Sequence, residues 1–223
     1  MPVALFTYLG AALGGALLGS IVVGIGGYDK LEDAPIWVMF IAQLLAWTVF
    51  LGAMFVASQR AGSGQFVNDY QARFKPVDIL GIPIGVLTQL VIVPLIYLPL
   101  EKIWESTFTD DKLSARAKDL VDRASGGSMV LLVLILCVGA PIVEELVYRG
   151  LLQGSFAARF NQVPAWLAAS AIFALIHFEP VEYPGLFAIG LVLGFCAMST
   201  GRLGMAIACH VGFNVTGLLL ALD

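Results

Sequence analysis

A chain of 223 residues that is 59% hydrophobic and 13% charged, with a mean hydropathy of +0.91, is too apolar for an ordinary soluble domain, which runs near ~45–50% apolar and ~25% charged. At this length a soluble fold would leave much of that apolar surface wet, so lipid is its natural solvent. The net charge of −4 is spread out, and no Lys/Arg run offers a nucleic-acid face.

In chain order, residues 3–26, 36–57 and 77–98 each supply the ~20 apolar residues that a helix needs to cross a ~30 Å hydrocarbon core. A fourth stretch begins at Ser128, and 164–178, 183–200 and 203–222 follow. The expected architecture is all-α: a polytopic transmembrane helix bundle of about seven spans. Residues 1–76 form two N-terminal spans and a loop, and 77–223 form the core that carries the polar residues. The fifth and sixth spans are short and are expected inside the bundle, with their ends shielded by protein. The first stretch lacks a basic leader and is long for a signal peptide, so it reads as a retained span. Its Gly10, Gly14, Gly15 and Gly19 form small-xxx-small pairs, which suit close helix packing within the bundle. Cys137, Cys196 and Cys209 fall in apolar stretches at unrelated spacings and read as small buried residues.

The loop at 58–76 carries Arg60, Arg73 and Lys75, which places it in the cytoplasm together with the N-terminus, Arg149, Arg159 and Arg202. The segment 99–127 would then lie outside, although it carries Lys102, Lys112, Arg116, Lys118 and Arg123. Within it, 110–124 places Leu113, Leu120, Val121 and Ala124 near one helical face. That pattern suits either an interfacial amphipathic helix that gates access from lipid or a solvated connector.

Ionisable residues inside membrane spans are costly and mark function or a specific pair. Glu144 and Glu145 sit deep in the fourth span, about 100° apart on a helix. Arg149 follows Glu145 by four residues in the favoured orientation for an ion pair. Glu145 and Arg149 therefore read as a structural ion pair, and Glu144 is left without a local cation. Both histidines of the chain also lie in spans. His177 shares a face with Phe173, and His210 lies one turn from Asn214. At 1.5 Å per residue, a fourth helix ending at Arg149 would leave Glu144 and His177 at different depths. A helix that continues to about Arg159 and turns at 161–164 brings both to roughly 20 Å from that end. Glu144, His177, His210 and Asn214 can then converge from three helices.

In a low-dielectric cavity a carboxylate and an imidazole can deprotonate water. Asn214 and His210 could donate to the oxyanion that develops on a peptide carbonyl. No Gly-x-Ser-x-Gly motif competes. A His₂Glu zinc site from Glu144, His177 and His210 is the alternative chemistry, although no His-Glu-x-x-His helix is present.

The ordered set Glu144-Glu145-x-x-x-Arg149, Phe173-x-x-x-His177 and His210-x-x-x-Asn214 resembles the three motifs of the CPBP family. That family, also known as Abi, contains the type II CAAX prenyl endopeptidases and bacterial bacteriocin-processing and self-immunity proteins. The resemblance implies an intramembrane endopeptidase and leaves the metal question open; glutamate chemistry without a cofactor is the expectation, with zinc as the alternative. Glu144 and His177 would activate water, and His210 and Asn214 would stabilise the oxyanion. The implied setting is a multi-pass protein of a prokaryotic plasma membrane. Its partners would be lipid and a peptide or protein substrate with a C-terminal or membrane-embedded segment, not nucleic acid. The competing readings are a non-catalytic scaffold or immunity-type binding protein, and a small transporter with a Glu/His relay.

Overall fold

The apolar stretches fold as helices because in lipid each backbone N–H and C=O must be satisfied within its own segment. The computed structural model describes residues 1–222, and no strand occurs among them. We number the main helices α1 (Pro2–Ile25), α2 (Ile36–Ala61), α3 (Pro76–Ile103), α4 (Asp110–Asp122), α5 (Gly127–Phe160), α6 (Gln162–Leu175), α7 (Tyr183–Thr200) and α8 (Gly204–Leu222). Six of them, all but α4 and α6, are long and apolar enough to cross a membrane. The protein is an integral membrane helix bundle. Its outer faces agree with that: Phe6, Leu13 and Ile25 of α1 are 76%, 73% and 83% exposed, a belt suited to lipid rather than water.

Two expectations are corrected. The α6 helix is not enclosed. It buries Ala165, Ala169, Ser170, Phe173 and Ala174 on one face and leaves Val163, Leu167 and Leu175 exposed on the other. It also ends at Leu175, so His177 lies in the turn beyond it rather than within a span. Pro180 restricts the backbone of Glu179, and Phe178 adopts a left-handed φ of 54°, so the chain leaves the helix early. The long fourth helix is as expected, running through Arg159 to Phe160. It reverses on a single residue, Asn161, at φ 76° and ψ 168°, a backbone region that residues other than glycine rarely adopt.

Small residues set the helix spacings. A Cβ added at Gly15 would touch the Ala46 backbone at 3.2 Å, and one at Gly14 would touch Val49 at 3.2 Å. Gly14, Gly15 and Gly19 thus seat α2, whereas Gly10 and Gly24 face open space. The tighter seam joins α3 to α8. Added Cβ atoms at Gly81, Gly85 and Gly212 would collide with the carbonyls of Met205, Cys209 and Ile82. At one end a buried latch locks the seam. Asp78 accepts the Lys75 amide at 2.7 Å and the Arg202 guanidinium at 2.6–3.1 Å. The Leu203 and Gly204 amides donate to the Gln71 and Arg73 carbonyls, each at 3.0 Å. Nearby, the Ser58 and Ser63 hydroxyls and the Ser63 amide hold the Asp69 carboxyl below its usual value.

The amphipathic segment is helical as expected. Thr109 caps it by accepting the Lys112 amide at 3.3 Å, and none of its residues is buried. It crosses the opposite end of the bundle from the latch, with Arg116 3.8 Å from Glu179 and Arg123 donating to the Ala34 carbonyl.

Gly85→Ala is expected to lower the thermal midpoint in detergent, because overpacking against a fixed backbone costs about 1–3 kcal/mol. Gly10→Ala, with nothing within 4 Å, should match or exceed the parent. Equal midpoints for the two variants would contradict the seam.

Candidate active site

Proline chemistry prepares the site before any side chain enters it. In α5 the Ala140 amide reaches back five residues to the Ile135 carbonyl, opening a π-helical turn over Leu134–Gly139. Pro141 comes next and has no N–H to give, so the Leu136 carbonyl is left without a helical partner. The Asn214 carboxamide of α8 donates to it at 2.7 Å. A defect in one helix thereby fixes the depth and rotation of another, and π-turns of this kind are frequent at functional sites.

One turn further along α5, Glu145 is fully buried. Its Oε1 accepts from Arg149 Nη1 and from His210 Nδ1, both at 2.9 Å. Arg149 is 4% exposed. It also donates from Nη2 to the Gly190 carbonyl of α7 at 3.0 Å, and its guanidinium lies 4.6 Å from the centroid of Phe173. The ion pair is therefore a three-helix junction. With Nδ1–H donated to Glu145, His210 turns Nε2 toward Glu144, whose Oε2 is 3.8 Å away. That is beyond hydrogen-bond distance, so His210 does not consume the Glu144 carboxylate. The Glu144 side chain is 28% exposed whereas that of Glu145 is 0%. Adjacent carboxylates thus occupy opposite environments.

His177 approaches from the other side. Its Nδ1 donates to the Phe173 carbonyl at 2.7 Å, which leaves Nε2 as the free nitrogen. The Phe173 ring packs edge-on against both imidazoles, with centroids 4.9 Å from His177 and 5.8 Å from His210. Tyr148 closes on Phe173 edge-on at 5.2 Å. His177 and His210 thus pack on one aromatic ring, Glu144 lies 3.8 Å from His210, and Asn214 stands one turn along α8 from His210 and is held on Leu136. Having Nδ1 tied and Nε2 open is also how zinc-binding histidines are dressed. Among the described residues no three His, Cys, Asp or Glu side chains are grouped as a metal site, and no step is derived through a metal.

Sequence reasoning missed two features. The bond from His210 to Glu145 spans 65 positions and leaves no local signature. Gln153 continues the spacing of Glu145 and Arg149 by another four residues and donates to the Gly194 carbonyl at 3.2 Å. A polar residue at that register in an apolar run was the available signal.

Arg149→Leu would leave the Glu145 carboxylate buried without its cation. Removing one partner of a buried pair typically costs about 3–5 kcal/mol, so thermal unfolding in detergent should shift sharply downward. Glu145→Gln should likewise be unstable, and parental midpoints for both would disprove the junction.

Residues 126–216 match the family described as "Type II CAAX prenyl endopeptidase Rce1-like". The chain is also 25% identical over 93 residues to the "Putative membrane peptidase YdiL" of Bacillus subtilis (strain 168). That alignment covers 42% of this chain and 38% of the relative. No solved structure matches. The family match, residues 126–216, spans the segment that carries the three motifs.

Proposed function

We propose that this protein is an intramembrane endopeptidase in which Glu144 is the general base for water. One observation carries the reading. Of two adjacent intramembrane carboxylates, Glu145 is spent on Arg149 and His210, whereas Glu144 is half-buried, carries no hydrogen bond to His210 and faces its Nε2. A carboxylate positioned without being neutralised suits proton abstraction, and a partly desolvated one suits it better.

In the proposed reaction Glu144 takes a proton from water while the oxygen adds to the peptide carbonyl. His177, with Nε2 open, assists at the same water. The oxyanion is met by the second N–H of Asn214, whose first is held on Leu136, and by His210 when its Nε2 carries a proton. Donors fixed beforehand in a low-dielectric site are the usual source of such stabilisation. Collapse breaks the C–N bond, and the proton held by Glu144 passes to the leaving amine. Glu145 acts through His210: it sets the tautomer and aims the ring. The substrate is a peptide or protein segment that reaches the site from lipid or from a chain terminus. The bacterial source of the similar peptidase supports placing this protein in a prokaryotic plasma membrane.

Glu144→Gln should abolish cleavage of a diverse peptide pool by protein in lipid nanodiscs while leaving the thermal midpoint near the parent's. Cleavage should survive a strong chelator. A fully active Glu144→Gln variant would end the mechanism, and chelator sensitivity would move the chemistry to a metal.

A further inference from the structure

Hydrolysis inside a membrane consumes one water for every bond cut, and that water has to come from an aqueous face. Glu145, Arg149 and Gln153 stand four residues apart along α5, and all three are buried. Each spends part of its polar capacity on protein, with Arg149 and Gln153 donating to the Gly190 and Gly194 carbonyls of α7. Each also keeps one buried atom with no partner: Glu145 Oε2, Arg149 Nε and Gln153 Oε1. Among the described residues the one other buried side-chain atom in that state is Gln89 Oε1, so the pattern is concentrated on this line. An unpaired buried polar group costs about 1–3 kcal/mol, and ordered water is what usually satisfies such groups.

The line opens at one end on a cavity of about 130 Å³ lined by Gln71, Arg149, Gln153 and Gln162, with Gly154 and Gly201 on its wall. That volume accommodates several waters. Gln71 and Gly201 belong to the two loops that meet at the Asp78–Arg202 latch, so the cavity faces the aqueous side at that end of the bundle. At the other end Glu145 touches His210, whose Nε2 faces Glu144. The polar line thus connects an aqueous cavity to the candidate base through otherwise apolar packing.

We propose that this cavity and the Gln153–Arg149–Glu145 line form the water inlet of the hydrolytic site. The inference rests on the peptidase reading above. Water entering here supplies the oxygen that bonds to the carbonyl carbon. One of its hydrogens stays on that oxygen, and the other ends on the leaving nitrogen as the C–N bond breaks. Gly154 is the control point. It is exposed, and a Cβ there would meet only the Arg149 carbonyl at 3.7 Å, so a larger side chain can fill the cavity without breaking the helix.

The test combines accessibility with turnover, both in lipid nanodiscs. Gln153→Cys is treated with a charged, membrane-impermeant methanethiosulfonate and read by intact mass. The buried native thiols Cys137, Cys196 and Cys209 set the baseline. Ala157→Cys, on the same cavity, is the companion variant should Gln153→Cys not fold. The cysteine variant should be labelled, and Gly154→Leu in the same background should slow labelling. In the parent background Gly154→Leu should lower kcat by about tenfold with KM unchanged, and Gly154→Ala should stay close to the parent. Introduced thiols as inert as the native ones, with cleavage intact, overturn the inlet alone, as does a Gly154→Leu variant with parental kcat. Labelling of the introduced cysteine, with a parent that cleaves nothing, overturns the peptidase reading and the inlet's purpose with it.

Discussion

The structure depends on how the Glu145 carboxyl group is partnered out of water. Burying a carboxylate is tolerable only with a partner of opposite charge and good hydrogen-bond geometry, and here the partners come from two helices at once. Arg149 reaches it from one turn along α5, His210 reaches it from α8, and Arg149 passes on to the α7 backbone. Any relative slide of these helices would strand a charge in apolar surroundings. The junction therefore selects one packing, and the same bonds that select it choose the imidazole nitrogen presented to Glu144. Fold specificity and site geometry are set by one contact.

Two backbone devices act beside it. The missing amide of Pro141 leaves the Leu136 carbonyl open, and Asn214 fills it. The glycines of α3 let α8 approach until only backbone separates them. One device acts through hydrogen bonding and the other through the absence of a side chain, yet both fix α8, the helix that carries His210 and Asn214. Side chains that must hold a geometry to a fraction of an ångström benefit from support of this kind behind them.

Much of this could be read from residue type and spacing. The hydrophobic runs placed the spans. The Glu145–Arg149 spacing indicated a pair, and the depth of Glu144 relative to His177 required a fourth helix that ran on past Arg149. What escaped was long-range or local in ways that periodicity does not record. Nothing near Glu145 indicates that His210 will bind it. The exit of α6 before His177 depended on the backbone demands of Glu179-Pro180 and on Phe178, which hydropathy does not register. The exposure of one face of α6 escaped for a related reason: a short apolar helix looks the same in sequence whether lipid or protein covers it.

That short helix has a consequence for the membrane itself. Fourteen residues of α6 make a rod of about 21 Å, well short of a ~30 Å hydrocarbon core, and one face of it meets lipid. A bilayer beside such a helix relieves the mismatch by thinning locally, at fractions of a kcal/mol per ångström. Such thinning would draw headgroups and water toward the flank of the bundle where α6 hands over to His177. On the proposed peptidase reading, a transmembrane substrate arriving along that flank would find less hydrocarbon to hold its backbone hydrogen bonds closed, and bilayer thickness would become a variable of the chemistry.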